Sequence, residues 1–289
     1  MLLKNEPLAD KTTIKIGGIA QLFFLPSCLE EVEELLPLLT QDFPLYYLGG
    51  GSNTIFGKFK GVVVSSQSLR GFRVLEEDSE GILLEVLAGT LLKELIPLIF
   101  EKNLCGIETL LGIPRISVGG AVAMNAGAYG KEISQITEGV YYFDPLKGEF
   151  LLERKPRFGY RSSDFPQKGF ICKVLLRLKP CPSPIRELVK KLNSRRRKSQ
   201  PLELPTAGST FKNPKGNFAG KLLEEVGLKG FCTKKGLCFS RKHANFLVNL
   251  SRKATLGDVL KLIDLAKERV LKEYDLRLEE EVKIVSTDG

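Results

Sequence analysis

The sequence predicts a mixed α+β protein with a break near residues 180–200. Three observations carry this. Strand-like apolar runs recur through the first part of the chain, among them Leu45-Tyr46-Tyr47-Leu48 and the stretch from Gly169 to Leu178. Segments with apolar residues at helical spacing lie between and after them. Pro180-Cys181-Pro182-Ser183-Pro184 then interrupts the pattern before a second set of helices and strands.

In order, Thr12–Ile16 and Ala20–Pro26 read as extended. Ser27 with Glu30 forms a capping box ahead of Leu29, Val32, Leu35 and Leu36, and Pro37 marks the end of that helix. The buried strand at Leu45–Leu48 delivers the chain into Gly49-Gly50-Gly51-Ser52-Asn53. Val62–Val64, Gly71–Leu75 and Gly81–Gly89 read as strands. Thr90 caps a helix bearing Leu92, Leu95, Ile96 and Ile99, which Pro97 disturbs. A glycine-rich stretch runs from Gly106 to Gly130, and three strand-like runs follow. Ser183 caps a helix with Pro184 at its first position. Gln200–Pro214 reads as loop. A helix from about Ala219 to Val226 stops at Gly227, and Thr255 with Asp258 starts another. Strands fall at Asn245–Leu250 and Glu281–Ser286.

Composition narrows the function. The chain has 289 residues, 43% of them hydrophobic and 27% charged, as expected of a soluble globular protein. No apolar run approaches the roughly 20 residues of a membrane span, and the first residues have no signal-peptide core. The expectation is a cytoplasmic enzyme or binding protein with no membrane partner; a monomer is expected as well. The net charge of +9 is scattered, the one dense run being Arg195-Arg196-Arg197-Lys198, so no nucleic-acid partner is expected. The six cysteines form no C-x-x-C pair and give neither a zinc signature nor a disulfide framework; Cys172 reads as a core thiol. A single histidine, His243, excludes a multi-histidine metal site, and no metal is expected. So little histidine favours chemistry done by an organic cofactor.

Six motifs stand out. Three glycines after a strand in Leu48–Asn53 permit positive φ, so that successive amides form a nest for a phosphate. This is neither G-x-G-x-x-G nor a P-loop. Gly112–Gly130, dense in glycine and alanine, allows very close backbone approach by a flat ligand or a pyrophosphate. Two such loops favour a dinucleotide over a single phosphate. Tyr160-Arg161-Ser162-Ser163 offers an arginine fork for a carboxylate or a flavin carbonyl, or simply a surface ion pair. Ala207-Gly208-Ser209-Thr210-Phe211-Lys212-Asn213-Pro214 exposes a serine but is not G-x-S-x-G, so a hydrolase is not supported; a serine that donates a proton is the alternative. His243-Ala244-Asn245-Phe246 and Leu278-Glu279-Glu280-Glu281-Val282 complete the set, the last reading by itself as a solvated charge run.

Each motif is weak alone, but their order over nearly the whole chain resembles the UDP-N-acetylenolpyruvoylglucosamine reductase family. The resemblance implies an FAD-binding fold of the vanillyl-alcohol oxidase type. Residues 1–66 and 67–185 would be its two subdomains, and 186–289 a C-terminal α+β substrate-binding domain. It implies non-covalent FAD, NADPH as hydride donor and a UDP-sugar substrate. Cofactor contacts are expected at Gly49, Gly50, Gly51, Ser52, Asn53, Gly119, Gly120, Asn125, Ala126 and Gly127. Arg161, Ser209 and Glu281 are the implied catalytic residues, and Tyr160, Lys198 and Asn213 the implied substrate contacts. The chain is similar to the compact subclass that lacks an inserted tyrosine loop. Its Gly112–Gly120 segment is one residue longer than the family's usual pattern, with Arg115 where glycine is expected. The rival of the same fold is an FAD-dependent oxidase; Ala207–Pro214 and His243–Phe246 resemble the reductase instead.

Overall fold

A computed structural model describes residues 1–287. The chain divides into two compact units built from alternating stretches of sequence. The first comprises 1–4, 21–50 and 61–194; the second comprises 5–20, 51–60 and 195–289.

The first unit holds two sheets. One has four strands in the order Leu2–Pro7, Ile19–Phe24, Phe59–Ser65, Leu45–Leu48, the last two parallel. Helix Leu29–Asp42 buries Val32, Leu36 and Leu39 in a core shared with Leu22, Phe24, Val62, Val64 and Cys172. The helix runs through Pro37 instead of ending there. A mid-helix proline costs about 3 kcal/mol. Burial of Leu36 and Leu39 on either side of it offsets that. Nor is Ser27 the cap: Cys28 takes that position, and the Ser27 amide donates to Glu31 at 2.8 Å.

The other sheet carries the antiparallel strands Glu149–Arg154, Thr137–Asp144, Phe170–Pro180, Gly81–Leu87 and Phe72–Asp78 in that order. Its apolar face packs under Leu92, Leu95, Val118, Ala121 and Val122. Thr90 does not cap the next helix. Its hydroxyl donates to the Gly71 carbonyl and accepts from the Gly71 amide, and Glu94 instead binds the amide of the cap residue Leu91. Pro97 sits in the first turn of helix Ile96–Lys102, where a missing N–H costs nothing.

The second unit is organised on a three-stranded antiparallel sheet, Thr206–Ser209, Phe246–Asn249, Leu237–Phe239. Helix Leu256–Tyr274 covers it, starting at the expected Thr255–Asp258 capping box and burying Val259, Leu262, Ile263, Ala266 and Val270. Its Asp258 carboxyl is held down at about 2, chiefly by the Thr255 hydroxyl and amide. Helix Ala219–Glu225 ends at Gly227, which has φ +73°. Strand Lys283–Val285 runs parallel to Thr54–Phe56.

Two expectations fail here. Thr12–Ile16 is not a strand: Lys15 is left-handed at φ 60°, and the Thr12 hydroxyl folds back onto the Ile16 carbonyl. Burial of Ile14 and Ile16 in the second core, which also holds Ile55, fixes this irregular loop. Conversely, the stretch read as loop before Pro214 contains strand Thr206–Ser209.

The expectation of no disulfides is also overturned. Cys105 joins Cys181, and Cys232 joins Cys238. Strand Leu104–Cys105 pairs antiparallel with Lys179–Pro180, and Cys232 faces Cys238 across a bridge. Neither proximity is visible in linear spacing. Cys172 is a core thiol, its pKa pushed up to about 12 by burial.

Candidate active site

In the first unit the two glycine motifs meet. Ser117 caps the short helix Val118–Ala123, and its hydroxyl accepts from the Gly120 amide at 3.2 Å and the Gly50 amide at 3.1 Å. Space there is tight. A Cβ on Gly49 would lie 2.6 Å from the Ser117 hydroxyl, and one on Gly50 would lie 1.6 Å from the Arg115 carbonyl oxygen. Gln67 holds the Gly49 carbonyl at 3.1 Å. Ser117 and Gln67 escaped sequence reasoning. A serine directly before Val-Gly-Gly is nonetheless an N-cap signal.

Arg115 now has a physical account. It sits in the left-handed region at φ 53°, the conformation glycine takes readily, and its carbonyl turns onto Gly50. Gly50→Ala should therefore lower stability by about 1–3 kcal/mol or more, read as a lower Tm. An unchanged Tm would mean that the two loops can separate without cost.

These contacts revise the reading of open amide nests. Gly50 and Gly120 give their amides to Ser117, Gly119 to the Ala88 carbonyl at 2.8 Å, Asn125 to Val122, and Ala126 to Ala121. The glycines here serve close packing of backbone on backbone. Ala123, Ala126 and Ala128 at the end of the loop are half-exposed, whereas the space beside Gly127 is taken by the Arg161 and Glu132 side chains. Side chains this small let a flat ring system or a phosphate chain approach the main chain closely, so these residues suit a bound FAD.

Two tight hairpins follow. Gly127–Ala128 pairs with Lys131–Glu132, turning through Tyr129 and Gly130, both at positive φ. Phe158–Gly159 pairs with Ser162–Ser163, and Tyr160 and Arg161 form its turn. Arg161 is left-handed at φ 53°. Its guanidinium donates to the Gly127 carbonyl at 2.8 Å, lies 3.5 Å from Glu132 and stacks on the Tyr160 ring at 5.0 Å. Asn125 stitches the hairpins together: its side chain donates to Glu132 at 2.8 Å and to the Gly159 carbonyl at 2.9 Å, and accepts from the Ser134 amide.

In the second unit Ser209 ends strand Thr206–Ser209. The register against Phe246–Asn249 slips between Thr206 and Ser209, and Gly208 at φ +79° absorbs the bulge. Such a bulge re-aims the side chain that follows it. The next residues are clamped by buried Asn245, whose carbonyl accepts from the Thr210 amide at 2.7 Å. Its side chain exchanges two hydrogen bonds with the Phe211 backbone. On the other side the Glu281 amide donates to the Thr210 carbonyl at 2.9 Å, and the Asn53 side chain donates to the Glu281 carbonyl at 3.1 Å. Asn53, Ser209 and Glu281 are thus brought together within this unit. Ser52 belongs to it too: its carbonyl oxygen lies 3.9 Å from where a Gly208 Cβ would be. Gly51, at φ +72°, packs on the Lys11 carbonyl.

The glutamate run divides by role. Glu279 is exposed and paired with Lys212, Glu280 pairs with Lys267 at 2.6 Å, and Glu281 is half-buried beside the Ser209 strand. Asn213 is exposed, and its side chain accepts from the Ala219 amide at 3.0 Å. Lys198 is exposed near the end of helix Ile185–Ser199, where Arg196 is buried instead. His243 packs on Gly220 and Phe246, and burial holds its pKa below the ordinary imidazole value. Among the described residues no group of three or more potential metal ligands occurs, and no helix is long and apolar enough to cross a membrane.

Residues 200–285 match the family of UDP-N-acetylenolpyruvoylglucosamine reductase C-terminal domains, and residues 20–150 match an FAD binding domain family. Over its full length the chain is 46% identical to the UDP-N-acetylenolpyruvoylglucosamine reductase of Aquifex aeolicus, covering 97% of that protein. The chain belongs to the UDP-N-acetylenolpyruvoylglucosamine reductase family. The Moorella thermoacetica reductase is 39% identical over 98% of this chain and 93% of its own. The crystal structure of the Thermus caldophilus reductase superposes with a TM-score of 0.77 at 32% identity, each chain covered to 98%. The expected fold class, an FAD-binding module joined to the reductase family's C-terminal domain, is the one found.

Proposed function

We infer that the chain reduces UDP-N-acetylglucosamine enolpyruvate to UDP-N-acetylmuramate, a step in making peptidoglycan precursors. The observation that carries this reading is full-length likeness to reductases bearing that name. Bound FAD would take a hydride from NADPH and pass it to the methylene carbon of the enol ether.

The protein's own residues supply charge and a proton. Arg161 holds the substrate carboxylate, toward which negative charge moves as the hydride adds. A cation already fixed in place stabilises that charge without reorganising. Tyr160 supports it by stacking. Ser209 gives a proton to the carbon beside the carboxylate. A neutral hydroxyl is a weak acid, but it transfers as enolate character grows. Glu281, set beside the Ser209 strand, offers its carboxyl group to position the intermediate. Asn213 and Lys198 are substrate contacts, at the diphosphate of the nucleotide.

The same reading places FAD, held non-covalently, against Gly49–Asn53 and Gly119–Gly127. It treats 1–66, 67–185 and 186–289 as two cofactor subdomains and a substrate domain, in a monomeric cytoplasmic enzyme. His243, packed on Gly220 and Phe246, supports non-covalent attachment.

Anaerobic stopped-flow absorbance near 450 nm tests the function. The expected result is a yellow protein bleached by NADPH and recoloured by the enolpyruvyl sugar nucleotide. Recolouring by oxygen but not by that substrate would instead identify an oxidase of the same fold. A protein that cannot take up FAD would refute both.

A further inference from the structure

We propose that Glu132 is a positioning residue for Arg161: it presets the guanidinium that receives the substrate carboxylate. The inference rests on the carboxylate-holding role of Arg161 given above. An arginine side chain has many rotamers, and its fixed neighbours choose among them. Two polar contacts take part in that choice, beside the Tyr160 ring. The Gly127 carbonyl takes one terminal nitrogen at 2.8 Å, and a Glu132 carboxylate oxygen lies 3.5 Å from the other.

Three further features point to Glu132 as a fixed counter-charge and not a chance surface pair. Its second oxygen accepts from Asn125 at 2.8 Å, so the carboxylate is held through both oxygens. Asn125 is itself buried and bonded to the Arg161 hairpin through the Gly159 carbonyl. Hairpin register places Glu132 directly opposite Gly127, the residue whose carbonyl holds the same guanidinium. Finally, a Cβ at Gly127 would lie 2.7 Å from the Arg161 terminal nitrogen and 2.8 Å from the Glu132 side chain, so the pair occupies the space that the glycine leaves. Asn125, Tyr129 and Arg161 all adopt left-handed backbone to build this arrangement.

Three holoenzyme variants test it: Glu132→Gln, Arg161→Ala and the double substitution. Glu132→Gln keeps the shape and the acceptor for Asn125 but removes the charge. Flavin bleaching by NADPH should stay within about twofold of the parent. Reoxidation by the enolpyruvyl sugar nucleotide should slow by about 10–100-fold, and calorimetric binding of that ligand to the oxidised enzyme should weaken by about tenfold. In the Arg161→Ala background the same change should do nothing more. Equal losses in both half-reactions, or additive losses in the double variant, would overturn the positioning role. Normal reoxidation in Arg161→Ala alone would instead sink the reading of Arg161 on which it stands. Should the glutamine variant fail to fold, Glu132→Asp keeps the charge on a shorter arm. Its expected loss is about threefold to tenfold in reoxidation only, and an unchanged rate, or a loss shared with bleaching, would count against Glu132.

Discussion

Arg161→Lys should leave bleaching of the flavin by NADPH nearly intact and slow recolouring by the enolpyruvyl sugar nucleotide by about 10²–10³-fold. The charge survives the change, so a simple electrostatic account would forecast a mild effect. The geometry says otherwise. The native guanidinium uses separate nitrogens for the Gly127 carbonyl and Glu132 while its central carbon lies 5.0 Å from the centre of the Tyr160 ring. An ammonium is a point charge that cannot be planar, stack and bond in several fixed directions together. It would also be more strongly hydrated, so bringing it against a carboxylate costs more. Rapid-scan absorbance of each half-reaction separates the two steps. Near-normal turnover would remove Arg161 from the chemistry.

Ser209→Ala should act on the same half-reaction by a different route, slowing recolouring by about 10²–10⁴-fold. The substitution removes one hydroxyl. It leaves the left-handed Gly208, the bonds of Asn245 to Thr210 and Phe211, and the Glu281–Thr210 contact in place. Melting temperature should therefore hardly move. If the hydroxyl delivers the proton, the solvent deuterium isotope effect on recolouring should change along with the rate. A loss shared equally by the NADPH step would show that Ser209 is structural.

Some of this was legible in the sequence because it is local. Thr255 with Asp258 announces a helix through a capping box that needs only four residues. Gly208 beside Ser209 marks an exposed serine within a short motif. Other features are settled by distant partners. The Pro37 helix persists because Leu36 and Leu39 are buried against a sheet that no local rule anticipates. The amides of Gly50 and Gly120 looked available for a phosphate, yet one hydroxyl, that of Ser117, takes both. The glycines were legible as close backbone approach to a ligand, not as packing on each other. Glu132 carried no signal at all, since its importance lies in facing Gly127 across a turn and Arg161 across two hairpins. Asn245 sat inside a motif already singled out, but its grip on Thr210 and Phe211 depends on residues some 35 positions away.

The alternation of the two units along the chain sets a timetable for synthesis. Ile14, Ile16 and Ile55 belong to a core completed only by Phe211, Leu247, Ile263 and Val282. Thr13 awaits the Thr206 carbonyl, and the Ile14 carbonyl awaits Asn249. At translation speeds of about 5–20 residues per second, those early segments leave the ribosome about ten seconds or more before their partners exist. Throughout that interval three bulky aliphatic side chains near the beginning of the nascent chain have nowhere native to go. A messenger cut short before the last helix would yield a chain in which that core is never completed, which makes truncated products natural clients for chaperones and proteases.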